Sequence, residues 1–255
     1  KSEKRAMTEV IALLEQEGIG LDENLDYTLG LYDDNDRLAA TGSFYRNTLR
    51  CLAVDNAFQG EGLMAVVVSR LVEELFARGQ HHLFVYTKQT AAKSIAALGF
   101  YEIAATDSVV FLENRRTAFQ DYLRGLSRPE STPPKIGAIV MNANPFSLGH
   151  QYLAETAAAA CDVLHLFMVS EDVSAFPYQV RERLIIEGTQ HIPNVYHHPT
   201  GPYLVSSATF PSYFIRESEA LTLAQARLDA RVFGRIAVEL GITDRFVGEE
   251  PLSPA

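Results

Sequence analysis

Apolar and polar positions follow two rhythms along this chain, and the change comes near residue 130. Before it, short runs rich in β-branched and aromatic residues succeed one another at 27–32, 38–45 and 48–54. The turn signals Asp33-Asp34-Asn35-Asp36 and Arg46-Asn47 separate them, which predicts antiparallel hairpins. A helix is predicted over 63–77, because Val67, Leu71, Leu75 and Val68, Val72, Phe76 recur at helical spacing. A strand at 82–87, a short helix at 90–98, a closing pair at 100–104 and 109–112, and an opening helix at 6–16 complete an α+β plan.

Beyond residue 134 the strands become apolar throughout. Runs at 136–141 and 163–169 are each followed by a helical pattern, at 151–160 and 178–190, and a long helix over 217–240 leads to a strand at 245–247. Strands without alternation, each followed by a helix, predict a parallel sheet covered on both faces, an α/β domain. Between the two halves lies Ser127-Arg128-Pro129-Glu130-Ser131-Thr132-Pro133-Pro134, where three prolines break any regular element. The expected organisation is a domain over 1–127, a linker over 128–134 and a domain over 135–255.

Composition narrows the partners. With 22 Lys+Arg against 32 Asp+Glu the formal charge is −10, which disfavours nucleic acid and anionic membranes. Hydrophobic residues make up 47%, enough for an ordinary core. Two cysteines, Cys51 and Cys161, are too few for a disulfide framework. The start KSEKRAMTEV lacks a signal-peptide run, and no stretch approaches the ~20 apolar residues of a membrane span, so the cytoplasm is the expected location.

The strongest chemical signal is the passage from Ile136 through Asn142-Ala143-Asn144-Pro145-Phe146-Ser147-Leu148-Gly149-His150, a buried strand running into a loop and a helix. The first amides of a helix point outward unpaired, and the macrodipole favours an anion there. Gly149 lets backbone approach a ligand, Ser147 offers a hydroxyl, and His150 can donate to a phosphate oxygen. The same residues also read as a turn and a helix cap.

Ser147-Leu148-Gly149-His150 resembles the HxGH mark of the nucleotidyltransferase superfamily, with serine in place of the first histidine; serine donates a hydrogen bond but carries no charge. The wider strings MNANPFSLGHQYLAETAA, SEDVSAFPYQVRERLI, PTGPYLVSSATFPSYFI and RFVGEEP are similar to the citrate lyase ligases, a resemblance that covers nearly the whole chain. It implies a Rossmann-like adenylylating domain behind an acetyltransferase-like one. It implies a two-step reaction: ATP with Mg²⁺ and acetate give acetyl-adenylate and pyrophosphate. The acetyl group then passes to the thiol of a coenzyme-A-like prosthetic group on the citrate lyase acyl carrier subunit. It further implies His150 and Ser147 as catalytic residues, and Asn142, Asn144, Phe146, Gly149, Gly248 and Glu249 as nucleotide contacts. Arg181 and Arg183 read either as partners of the β- and γ-phosphates or as a solvated helical face. The superfamily's second phosphate signature, ISxTxxR, follows the segment that here reads RFVGEEP, and this sequence stops at Ala255 before it, so a truncated domain is expected.

In the first half, Phe58-Gln59-Gly60-Glu61-Gly62-Leu63-Met64 lies between a strand and a helix, where successive amides can cradle a pyrophosphate. It resembles the coenzyme A loop of the GNAT acetyltransferases, Q/RxxGxG/A, with Gln59 and Gly62 in register and Met64 where a small residue belongs. The stretch 90–101, ending Gly99-Phe100-Tyr101, resembles that family's late helix and turn. A GNAT-like mixed sheet is therefore expected, with Gln59, Gly60 and Gly62 holding a coenzyme-A-like arm. No general base stands out among Glu61, His81, His82 and Tyr101.

His165, His191, His197 and His198 have no metal-ligand spacing, so no metal site is expected. Cys51 and Cys161 lack a histidine at suggestive spacing, which disfavours an acetyl-cysteine intermediate. The hydroxyl-rich stretch 201–211 reads as a cover for acetate or as a surface loop. Two other functions stay open: a nucleotidyltransferase acting on another acceptor, and a GNAT-type acetyltransferase whose second domain only binds nucleotide.

Overall fold

The computed structural model describes residues 3–131, 133–172, 174–204, 210–211, 213 and 218–248. They form two compact units, one of Lys1–Arg116 with Pro211–Leu228, the other of Thr117–Phe210 with Asp229–Ala255.

The first unit contains α1 (Glu3–Gln16), β1 (Tyr27–Tyr32), β2 (Leu38–Tyr45), β3 (Thr48–Val54), a 3₁₀ turn (Asn56–Phe58), α2 (Leu63–Ala77), β4 (Phe84–Thr87), α3 (Gln89–Ala97), β5 (Tyr101–Ala105) and β6 (Val110–Glu113). Its sheet runs β1-β2-β3-β4-β6-β5, antiparallel except where β3 and β4 pair in parallel. This is the expected mixed sheet. β2 is buried over seven of its eight residues because both faces are covered. On one side Val67, Val68, Leu71 and Leu75 of α2 pack with Phe44 and Leu49; on the other Val10, Leu13 and Leu14 of α1 pack with Leu38, Cys51 and Ala53. Gly42 permits the close approach of α2, since a Cβ there would overlap Val67, Leu52 and Leu71.

A bulge interrupts β2 and β3 between Thr41 and Ser43, and opposite it Cys51 takes φ +51°. The extra residue shifts the alternation of β3. Leu49, Leu52 and Val54 therefore meet the α2 core, while Cys51 and Ala53 meet α1.

The second unit contains α4 (Ala118–Gly125), β7 (Ile136–Met141), α5 (Leu148–Ala159), β8 (Val163–Met168), α6 (Tyr178–Thr189), β9 (Val195–Pro199) and β10 (Asp244–Arg245); α7 (Ser218–Leu240), whose residues 229–240 belong to this unit, precedes β10. Its sheet is parallel throughout, in the order β10-β7-β8-β9. Strand β9, with its two histidines, is an addition to the sequence reading. Its single fully buried position lacks the apolar signature of a central strand, because β9 lies at the sheet edge. Ile139, Met141, Leu164, Leu166 and Met168 pack under α5 and α6. Phe167, from the other face, meets Phe233 of α7. There too His165 and His198 lie buried, with ring nitrogens 2.9 Å apart. Among the described residues no helix is long and apolar enough to cross a membrane.

Candidate functional site

In the parallel sheet the chain passes from β7 to β8 on one side, while β10 adds to β7 on the other. The carboxyl ends of strands at such a reversal, here β7 and β10, are the place where ligands bind open α/β sheets. The loop from Asn142 to Ser147 leaves β7 there.

Ser147 is the N-cap of α5, which begins at Leu148, three residues before the sequence pattern suggested. Its amide donates to Nδ1 of His150 at 3.1 Å, and its hydroxyl lies 2.7 Å from the same nitrogen. His150 thus takes the part that Glu or Gln plays in a capping box. An imidazole nitrogen that accepts an amide carries no hydrogen, so the ring hydrogen sits on Nε2. The cap and the chemical readings of His150 are therefore compatible: capping fixes the tautomer and leaves Nε2–H as the donor. The Phe146 ring stacks on His150 at 5.8 Å. Phe146 in turn lies against Gly188 of α6, where any Cβ would run into the ring. Gly149 has no such constraint: a Cβ there would meet only the Ser147 hydroxyl, at 3.7 Å.

Arg181 does not lie on a solvated face. It is fully buried, and its guanidinium donates to the carbonyls of Phe176 (3.0 Å), Asn142 (3.0 Å), Val169 (2.8 Å) and Glu171 (2.6 Å) and to the Asn142 side chain (2.9 Å). Its donors tie the loop after β7 to the segment between β8 and α6 instead of pointing outward. Arg183, two residues on, projects about 200° away around the helix. It is exposed, 4.0 Å from Glu187. The two arginines therefore do not converge.

The Asn142 amide donates to the Ser174 hydroxyl at 3.1 Å, and Asn144 accepts the Phe176 amide at 3.0 Å. The loop is thereby tied to the segment before α6. Between these two asparagines Ala143 is held at φ +46° and buried, a conformation that costs a non-glycine residue about 1–2 kcal/mol. The Tyr178 hydroxyl donates to Glu182 at 2.6 Å, and burial with that contact pushes it up to about 12. Gly248 follows β10, with room for a side chain beside Leu153. Glu249 and residues 205–209 of the hydroxyl-rich stretch lie outside the described residues.

Asp229 was not singled out from the sequence. It interrupts the buried stripe Leu228, Val232, Phe233, Ile236, Leu240 of α7, and a carboxylate at that spacing is the signal that could have found it. Burial pushes its carboxyl up to about 7, Arg245 opposing and Glu171 reinforcing the shift.

The glycine loop of the first unit is barer. Asp55 accepts the Ala57 amide at 2.8 Å and Arg37 at 2.7 Å, and these bonds hold its carboxyl below the usual range. Gln59 is exposed. Gly60 (φ +89°) and Gly62 (φ +77°, the N-cap of α2) occupy left-handed conformations with nothing within 4 Å of either virtual Cβ. Met64 packs against the α2 core and also lines the space that the loop borders. The loop borders a cleft of about 740 Å³, also lined by Leu52, Val54, Lys88 and Ala91. Glu61 is exposed, Tyr101 is 42% exposed, and His82 is bonded to Glu113 at 2.6 Å. Burial raises both thiols, Cys51 up to about 11.

Residues 136–255 match the family described as citrate lyase ligase C-terminal domain, and residues 3–104 the acetyltransferase (GNAT) family. Three relatives, each a citrate (pro-3S)-lyase ligase, align over most of the chain. That of Escherichia coli (strain K12) is 37% identical over 253 residues, 98% of this chain and 72% of the relative. That of Klebsiella pneumoniae is 44% identical over 220 residues, 86% and 64%. That of Haemophilus influenzae (strain ATCC 51907 / DSM 11121 / KW20 / Rd) is 37% identical over 251 residues, 98% and 75%. The chain thus spans about two thirds to three quarters of the length of these relatives.

Proposed function

Because the chain belongs to the citrate lyase ligase family, we propose that it activates citrate lyase by ATP-dependent acetylation of the acyl carrier subunit's prosthetic-group thiol. A carboxylate oxygen of acetate attacks the α-phosphorus of Mg²⁺-bound ATP, the bond to the β-phosphate breaks, and pyrophosphate leaves. The thiol sulfur then attacks the acetyl carbon, the bond to the phosphate oxygen breaks, AMP leaves, and the thiol proton is released. In-line displacement of this kind asks for positioning and charge stabilisation more than for a strong base. The cytoplasm, where ATP and the carrier meet, is the setting.

The observation that carries this reading is the Ser147–His150 cap, which fixes an Nε2–H donor in the first turn of α5 beside unpaired helix amides. In this reading Nε2–H and Ser147 stabilise the α-phosphate, while Asn142, Asn144, Phe146 and Gly149 shape the seat. Gly248 and Glu249, after β10, contact adenosine, and an outer-phosphate role for Arg183 requires it to leave Glu187 and swing round from the opposite face of α6. In the first unit Gln59, Gly60 and Gly62 receive the coenzyme-A-like arm in the open cleft.

The test is acetate-dependent exchange of labelled pyrophosphate into ATP by the full-length protein. Exchange that needs acetate and falls with His150→Ala supports the ligase. Exchange with a different acceptor points instead to another nucleotidyltransferase, and acetyl transfer from acetyl-coenzyme A to amines without ATP to an acetyltransferase.

A further inference from the structure

Along α7, Val232, Phe233, Ile236 and Leu240 are buried, and Asp229, one turn before Phe233 and on the same side of the helix, is half-buried. The Phe233 ring meets Phe167, the penultimate residue of β8, edge to face at 6.2 Å. The Arg245 guanidinium of β10 covers the same ring at 4.5 Å. Glu171 lies three residues beyond the end of β8, and its carbonyl accepts Arg181, which also holds Asn142 after β7. Both Glu171 and Arg245 act on the Asp229 carboxyl through their charges. That carboxyl is thus bracketed by the segment after β8 and by β10, and β7 is the strand between them. Among the described residues it accepts no hydrogen bond.

The proposed transfer releases a thiol proton, and the groups around the α5 cap are not made to take it. His150 carries its hydrogen on Nε2 and uses Nδ1 for the Ser147 amide. The Tyr178 hydroxyl, pushed up to about 12, is bonded to Glu182. Arg181 is a buried cation.

We propose that Asp229 is the base of the transfer step. As the sulfur attacks the acetyl carbon, its hydrogen passes to an Asp229 oxygen and the bond from that carbon to the phosphate oxygen breaks. AMP leaves with the electron pair, and the carboxyl returns the proton to water. The inference rests on the ligase reading and assigns the second half-reaction to a group on α7, apart from the α5 amides. A thiol is only a few per cent ionised at pH 7, so an acceptor is needed. Burial, opposed by Arg245 and reinforced by Glu171, holds Asp229 at about 7, where a base is largely unprotonated and still strong enough to act. Arg245 and Glu171 are the charged groups that face it, from β10 and from the segment after β8. Two carboxyl groups against one guanidinium disfavour a phosphate here and leave a neutral thiol unopposed.

Single-turnover transfer from synthetic acetyl-adenylate to pantetheine, followed against pH in the full-length protein, tests this beside acetate-dependent pyrophosphate exchange. The wild-type transfer rate should rise with a midpoint near pH 7 and then level off. Asp229→Asn should transfer about 10²-fold more slowly at pH 7 and keep gaining rate beyond about pH 8 with the thiolate, while exchange stays within about 3-fold. Asp229→Glu should restore the plateau. Wild-type transfer that climbs with the thiolate and never levels overturns the inference even if neither variant folds. Equal losses of exchange and transfer in Asp229→Asn, with the wild-type pH profile kept, show a structural role and overturn it too. Acetate-dependent exchange beside transfer that is blind to Asp229 in folded variants sinks only the base. Wild type without acetate-dependent exchange removes the ligase reading and this inference with it.

Discussion

The two units each present a strand, a loop and a helix N-terminus, and they finish that device in opposite ways. Before α2 the loop is stripped: two left-handed glycines with nothing within 4 Å of where a side chain would start. Before α5 the loop is dressed: an imidazole caps the helix, a phenyl ring backs the imidazole, and a buried arginine gathers the surrounding carbonyls. Bare amides suffice to hold a charge that does not change. A charge that grows during reaction calls for a donor of fixed identity and position. Under the proposed function, the contrast separates a binding loop from a reacting one.

The largest break in this contrast is expected from Arg181→Ala, which leaves several buried oxygens without a donor. It should destabilise the second unit by about 3–5 kcal/mol in urea denaturation, whereas Arg183→Ala, on the same helix but exposed, should change it by less than ~0.5 kcal/mol. His150→Ala should slow acetate-dependent pyrophosphate exchange by ~10²–10³ while leaving coenzyme A binding untouched. An effect on both would erase the division of labour.

Acid should also distinguish the units. Burial holds His165 down to about 4, Arg128 adding to it, and His198 down to about 3, with His165 and His197 adding to it, against 6.5 for a free imidazole. The unfolded chain binds these protons first, so stability present above pH 6.5 is lost as pH falls towards 4. Asp229 has the reverse sign: raised from 3.8 to about 7, it favours the fold at low pH and ceases to do so as pH rises through 7. The second unit should therefore be most stable near pH 6.5 and lose about 1–2 kcal/mol by pH 5. Asp229→Asn should steepen that acid limb, which pH-dependent denaturation of the variant would measure. A smaller effect is expected from Gly62→Glu: roughly 10-fold slower acetyl transfer to the carrier, with adenylate formation unchanged.

How much of this was readable beforehand depends on which forces decided each element. Helix α2 was legible because Val67, Leu71 and Leu75 carry their own periodicity, and β7 because an unbroken apolar run needs cover on both faces. The two loops were legible because glycine and helix-start residues act locally. Strand β9 was not, since its place comes from hydrogen bonds to β8 and not from its own composition. Arg181 was obscured for a similar reason. Within YQVRERL it looks like any surface cation, and the carbonyls it serves belong to residues 142, 169, 171 and 176, which only the fold brings together. Gly188 was invisible until Phe146 came to rest on it. The bulge at Cys51 escaped too, because alternation through β3 reads as continuous until the partner strand is known.

The buried guanidinium also bears on how the enzyme cycles. A surface loop that closes on each arriving nucleotide must surrender its freedom every time, and the affinity is reduced accordingly. Here the polymer surrenders it during folding, once, because a single planar cation already satisfies the turns on either side. Nucleotide should then enter and leave a seat that keeps its shape, with the tempo of turnover set elsewhere, and lysine, with one compact ammonium in place of the five-donor fork, could not hold that shape.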